Sequence, residues 1–68
     1  MELAEQALSS EQLAARYNMS IRGIEGWRAK GEGPRWFMAG HRAMYRGADV
    51  LAWEEAEAER LERERASA

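Results

Sequence analysis

The stretch "LSSEQLAARYNMSIRGIEGW", Leu8 to Trp27, contains two helix starts and one helix stop. Ser9 has the position and chemistry of an N-cap. Gln12, three residues on, can return a hydrogen bond to the Ser9 backbone, which completes a capping box. Leu8 then precedes the cap and Leu13 lies one turn inside, the two halves of a hydrophobic staple. Both devices predict a helix starting at about residue 10, with Leu13, Ala14 and Tyr17 on one face. Asn18 is suited to a left-handed C-cap that ends it after about two turns. Ser20 then offers a second N-cap, with Met19 and Ile24 as a second staple. Ile24 and Trp27 share one face of this second helix, and Gly31 supplies its stop. Two short helices joined by a tight turn make a helix-turn-helix pattern.

Residues 1–7 read as a short, frayed polar lead. On the other side, Gly33-Pro34 forces the chain into an extended or turned path. "RWFM" (35–38) and "AMYR" (43–46) are rich in aromatic residues and flank "AGHR". They predict a two-stranded hairpin with Gly40 in the turn. Such a hairpin is marginal alone and needs a helix to lean on. From Ala48 onward there is no Gly or Pro, and Ala, Glu, Leu and Arg dominate, so a last helix is expected to about residue 66. Val50, Leu51 and Trp53 are its candidate core residues. Beyond Ala56 only Leu61 is large and apolar, which leaves the final turns in solvent, braced by pairs such as Glu57–Arg60 and Glu59–Arg63. A coiled-coil seam is not sustained. The expected fold class is mainly α with a small β-hairpin, a winged helix-turn-helix of order α-α-β-β-α. It forms a single domain over residues 1–68 with its core in 8–56.

A chain of 68 residues buries only a small core. It has no cysteine, which excludes disulfides and thiolate metal sites, and the single His41 lacks suitably spaced partners for a metal. Trp27, Trp36, Tyr45 and Trp53 are expected to supply the packing, with Phe37 the aromatic left partly exposed. No apolar run reaches the ~20 residues of a membrane span. The composition suits a soluble cytoplasmic protein without a membrane partner.

Charge is unevenly distributed. Over residues 19–46, Arg22, Arg28, Lys30, Arg35, Arg42 and Arg46 stand against only Glu25 and Glu32, a net +4. Residues 47–68 carry Arg60, Arg63 and Arg65 against seven acidic residues, a net -4. A local basic face matters more to an anionic partner than the overall net charge of -2. No paired carboxylates, activated nucleophile or phosphate loop is present; "GEGP" lacks the Lys-Ser/Thr ending of the last. The expectation is a non-enzyme without a cofactor, a metal or catalytic residues.

The order of capped helix, turn, second helix with a tryptophan, Gly-x-Gly-Pro, basic aromatic hairpin and helix with a tryptophan resembles the winged helix-turn-helix domains of the excisionase, AlpA and MerR-like group. The matching stretches are "LSSEQLAARYNMS", "GWRAKGEGPRWFMAGHRAMYR" and "ADVLAW", within residues 8–53. One departure is Gly23, where many relatives carry a threonine or a similar residue. The resemblance implies a protein of a phage or other mobile genetic element that binds short repeated sites on double-stranded DNA. The expected function is that of an excisionase, or recombination directionality factor. Several copies would associate head to tail on the DNA and bend it, with an integrase as protein partner. A small transcriptional regulator is the nearest alternative; a terminase-like packaging subunit and a protein-interaction module are further ones.

In a helix-turn-helix the second helix enters the major groove with its N-terminal end leading. Its candidate DNA-binding residues are Ser20, Ile21, Arg22, Glu25, Gly26 and Arg28, with Arg22 and Arg28 the foremost, since arginine pairs with guanine or neutralises phosphate. Gly23 and Gly26 either permit close approach of the backbone to the duplex or admit a neighbouring aromatic ring. In the wing the candidates are Arg35, His41, Arg42 and Arg46. His41 and Arg42 at the tip reach either the minor groove or phosphate. The acidic last helix is expected to point away from the duplex.

Overall fold

Both helix starts form as their side chains dictate. In the computed structural model, which describes residues 2–67, α1 runs Ser10–Tyr17 and α2 runs Ile21–Lys30. The Ser9 hydroxyl accepts from the Gln12 N–H at 3.1 Å, and the Gln12 side chain accepts from the Ser9 N–H at 2.9 Å. Asn18 adopts a left-handed conformation at φ 55°, and the next N–H, from Met19, donates to Ala14 at 2.8 Å. Ser20 caps α2 by accepting from Gly23 N–H at 3.1 Å, and Gly31 ends it at φ 72°.

The hairpin follows with shifted edges. Its strands, here β2 (Phe37–Ala39) and β3 (Arg42–Arg46), are antiparallel, with Phe37 opposite Met44 and Ala39 opposite Arg42. The first strand therefore starts two residues later than "RWFM" suggests, and Gly40-His41 forms the turn. Trp36 is drawn out of the strand's run and packs beside Arg28, whose guanidinium carbon lies 5.7 Å from its ring centre.

The polar lead is structured. Leu3–Glu5 forms a 3-10 turn, and Ala7–Ser9 forms a strand, β1, that pairs antiparallel with β3. The sheet is thus three-stranded, in the order β1-β3-β2, and the elements run β-α-α-β-β-α. Leu8 lies opposite Tyr45, so the residue that staples α1 also fills a sheet position. A three-residue strand shows no readable alternation, and its pairing partner lies far away in sequence. The last helix, α3, runs Gly47–Ser67. Gly47 N–H donates to the Gln6 carbonyl at 2.7 Å, and a Cβ at position 47 would fall on the Leu3 carbonyl. Only glycine lets the lead and α3 come this close.

Leu8, Leu13, Ala14, Ile24, Tyr45 and Val50 form the buried core, drawn from every major element except β2. Each large aliphatic member contributes about 1.5–3 kcal/mol by leaving water. Tyr17, Trp27 and Trp53, one from each helix, meet with ring centres 5.1–5.8 Å apart in tilted pairs. Trp36 departs from the core expectation and is 40% exposed; Leu51 is likewise on the surface. Past Glu57 all described residues of α3 are exposed. Arg60 binds Glu57 and Glu64 there, at 2.8 and 2.6 Å, whereas Glu59 and Arg63 form no ion pair among the described residues. No helix among the described residues is long and apolar enough to cross a membrane. Three helices and a small antiparallel sheet make a winged helix-turn-helix.

Candidate nucleic-acid interface

Helical geometry divides α2 into two sides. Ile24 is fully buried and Trp27 is half-buried against Tyr17 and Trp53. At 100° per residue, Arg22, Glu25, Gly26 and Ala29 fall on the opposite side. Arg22, Glu25 and Ala29 are exposed. A Cβ added at Gly26 would meet nothing within 4 Å. At Gly23 it would come 2.9 Å from the end of the Met19 side chain. Neither glycine makes room for an aromatic ring; Gly33 does, since a Cβ there would lie 2.6 Å from Trp27 Cε3.

Between α2 and the wing lies an open cleft of about 270 Å³. It is lined by Ser10 and Glu11 of α1, Ile21, Glu25 and Arg28 of α2, and His41, Arg42 and Ala43 of the hairpin. Five of the sequence-predicted residues therefore meet in one place: Ile21, Glu25, Arg28, His41 and Arg42. Ile21 is 43% exposed, an apolar side chain open to a partner at the first position of α2. Ser20 lies just before it, with its hydroxyl engaged as the cap. His41 and Arg42 are exposed, and Arg42 lies 3.6 Å from Glu11, with both side chains well solvated, a contact of little energetic consequence.

Arg28 is placed differently from the other candidates. Its Nη1 donates to Ser10 Oγ and to the Tyr45 hydroxyl, each at 2.9 Å. The guanidinium also lies over Trp36 and Tyr45, at 5.7 and 6.0 Å from the ring centres. It joins α1, α2 and the wing. Its helix position, 40° from Ile24, turns it partly inward. Sequence reading missed Ser10 and Tyr45 as its partners, because they lie 18 and 17 positions away in the chain.

Arg35 and Arg46 are exposed at the base of the hairpin, and Arg46 is tied to Asp49 at 3.2 Å. Arg22 and Arg35 make no side-chain hydrogen bond or ion pair among the described residues. Away from the cleft, Arg16 grips Glu54 through Nε and Nη2 at 2.6 and 2.9 Å, and the Tyr17 hydroxyl donates to Glu54 at 2.6 Å. The Arg16 guanidinium holds the Glu54 carboxyl below the usual carboxylate range, and Tyr17 adds to the effect. Burial, and then the Glu54 carboxylate, push the Tyr17 hydroxyl up. This cluster pins acidic α3 to α1 on the Trp27 side. Among the described residues no group of His, Asp and Glu side chains is arranged to hold a metal ion. No family model, curated protein or solved structure matches this chain.

Proposed function

We propose that this chain binds double-stranded DNA in a sequence-specific manner through α2 and the wing, and acts as an excisionase or recombination directionality factor in the cytoplasm. The observation that carries the reading is the adjacency of two surfaces. The open side of α2, with Arg22, Glu25 and Gly26, borders the cleft whose far wall is the hairpin tip with His41 and Arg42. With α2 in the major groove, the tip lies beside the flanking backbone, within reach of phosphate or the minor groove. The acidic α3 packs on the Trp27 side, so its carboxylates stand off from the duplex.

One small domain covers little DNA and binds weakly alone. Several copies therefore occupy neighbouring sites head to tail and bend the DNA for an integrase. A transcriptional regulator would use the same interface. A gel-shift titration on one and on several tandem sites tests this reading: cooperative binding that weakens steeply with salt supports it. One copy per site without cooperativity removes the head-to-tail array. A protein-interaction module is favoured by one observation, a larger cleft of about 670 Å³ between Trp27, Gly31–Gly33, Trp53 and the start of the acidic overhang. Duplex binding undetectable at low salt would leave that reading in its place.

A further inference from the structure

Glu25 is an exposed carboxylate on the outward side of α2, in the wall of the cleft. Arg22 and Glu25 stand three residues apart on the outward side of α2. The same spacing gives ion pairs at Arg46–Asp49, 3.2 Å, and Arg60–Glu57, 2.8 Å, though among the described residues not at Glu25–Arg28 or Glu62–Arg65. Arg22 and Glu25 form no such pair, and neither side chain has a hydrogen-bond partner among the described residues. Of the two carboxylates that line the cleft, Glu11 has a weak contact with Arg42 at 3.6 Å and Glu25 has none among the described residues.

A bare carboxylate on the surface that meets a polyanion opposes binding to phosphate. It is compensated when it reaches a hydrogen-bond donor on the nucleic acid, and in the major groove the donors are base amino groups. Beside Glu25, Gly26 weakens the helix relative to alanine, yet no neighbour within the protein requires its missing side chain. Ala29, one turn on, is also small. The surface around Arg22 and Glu25 is therefore low, and the two long side chains project from it toward whatever the helix enters.

Resting on the reading of α2 as the groove-entering helix, we propose that Glu25 is a specificity-determining residue: its carboxylate accepts a hydrogen bond from the N4 amino group of a cytosine, while Arg22 donates to N7 and O6 of a guanine. Cytosine is selected because its major-groove edge offers a donor without an adjacent acceptor. Adenine places N7 beside its amino group, and guanine and thymine present acceptors that repel a carboxylate. The preferred ligand is thus duplex DNA with C·G pairs beneath the middle of α2.

Binding-site selection from a randomised duplex pool tests this with the whole chain and two variants, Glu25→Gln and Glu25→Ala. The wild type is expected to enrich cytosine at one position by about tenfold. Glu25→Gln shifts that position toward adenine, which glutamine matches at N6 and N7, and Glu25→Ala flattens it. Both bind a random duplex as well as or better than the wild type, since a negative charge is gone. Helical circular dichroism unchanged from the wild type shows that the variants fold. A wild-type profile without cytosine enrichment, or a Glu25→Gln profile identical to the wild type, overturns the assignment while leaving duplex binding intact. Failure of the wild type to retain any duplex at low salt overturns the duplex reading itself.

Discussion

Arg28 Nη1 lies 2.9 Å from the Tyr45 hydroxyl, so a charged side chain from α2 holds the central strand of the wing sheet. Ser10 Oγ, also at 2.9 Å, brings in the start of α1. Among the described residues no carboxylate forms an ion pair with Arg28; its contacts are two hydroxyl oxygens and two aromatic faces. Tyr45→Phe removes one hydrogen bond to a charged donor and should cost about 1.5–3 kcal/mol in urea unfolding. Arg28→Ala should cost at least as much, because it also empties the space between the rings.

The same arrangement separates Arg28 from Arg22 in DNA binding. Arg22→Ala should cost about 1–3 kcal/mol on a duplex that carries its guanine and relax specificity there, and the loss of its charge should also lower the slope of log K against log salt; Arg42→Ala should lower that slope by about 1 and weaken binding to all duplexes alike. Arg28→Ala should change the slope less, since its guanidinium already has partners inside the protein. Parallel salt titrations of the three variants check this; equal slope losses for Arg22 and Arg28 would show that Arg28 leaves its partners on DNA.

Gly26→Ala should raise the stability of the free protein by about 0.5–1 kcal/mol, since the new methyl meets open space and alanine favours the helix. On a duplex the same methyl should weaken binding. Thermal unfolding and gel shifts on the same preparation measure both. A variant that is both more stable and an undiminished binder would show that nothing approaches the helix there.

Gly47→Ala should act in the opposite direction on stability. Its Cβ would collide with the backbone at Leu3, where no rotamer change can relieve it. The lead must then move off α3, which weakens β1 as well. We expect a loss of about 2 kcal/mol or more, with amide exchange raised first over residues 3–9.

The pH dependence of stability should trace to Glu54. Its folded-state pKa is depressed by Arg16 and Tyr17, so its contribution is fully present above the ordinary carboxylate range. It is lost as pH falls through the depressed folded value. Glu54→Gln should cost about 1–2 kcal/mol at neutral pH, a figure kept low because the Arg16 side chain is 36% exposed and screened by solvent. The variant should also lose less stability than the wild type between pH 6 and 3, measured by urea unfolding at each pH.

The sequence by itself determined what neighbours in the chain decide among themselves. Ser9 with Gln12, Asn18, Ser20 and Gly31 set both ends of α1 and α2, because caps and stops are made within three or four residues. The turn of the hairpin at Gly40 was legible for the same reason, and so was the unbroken run of helix formers in α3. The tertiary structure alone decided what depends on distant partners. The third strand exists because Leu8 meets Tyr45 across 37 positions, and the lead docks because Gly47 admits Leu3. Arg28 and Arg22 look alike in sequence, yet one is held by Ser10 and Tyr45 and the other stays open, since a turn of 100° per residue sends them to different surroundings. Trp36, expected inside, is 40% exposed and packs its ring against the Arg28 guanidinium instead, a contact 8 positions away in the chain that no local pattern announces.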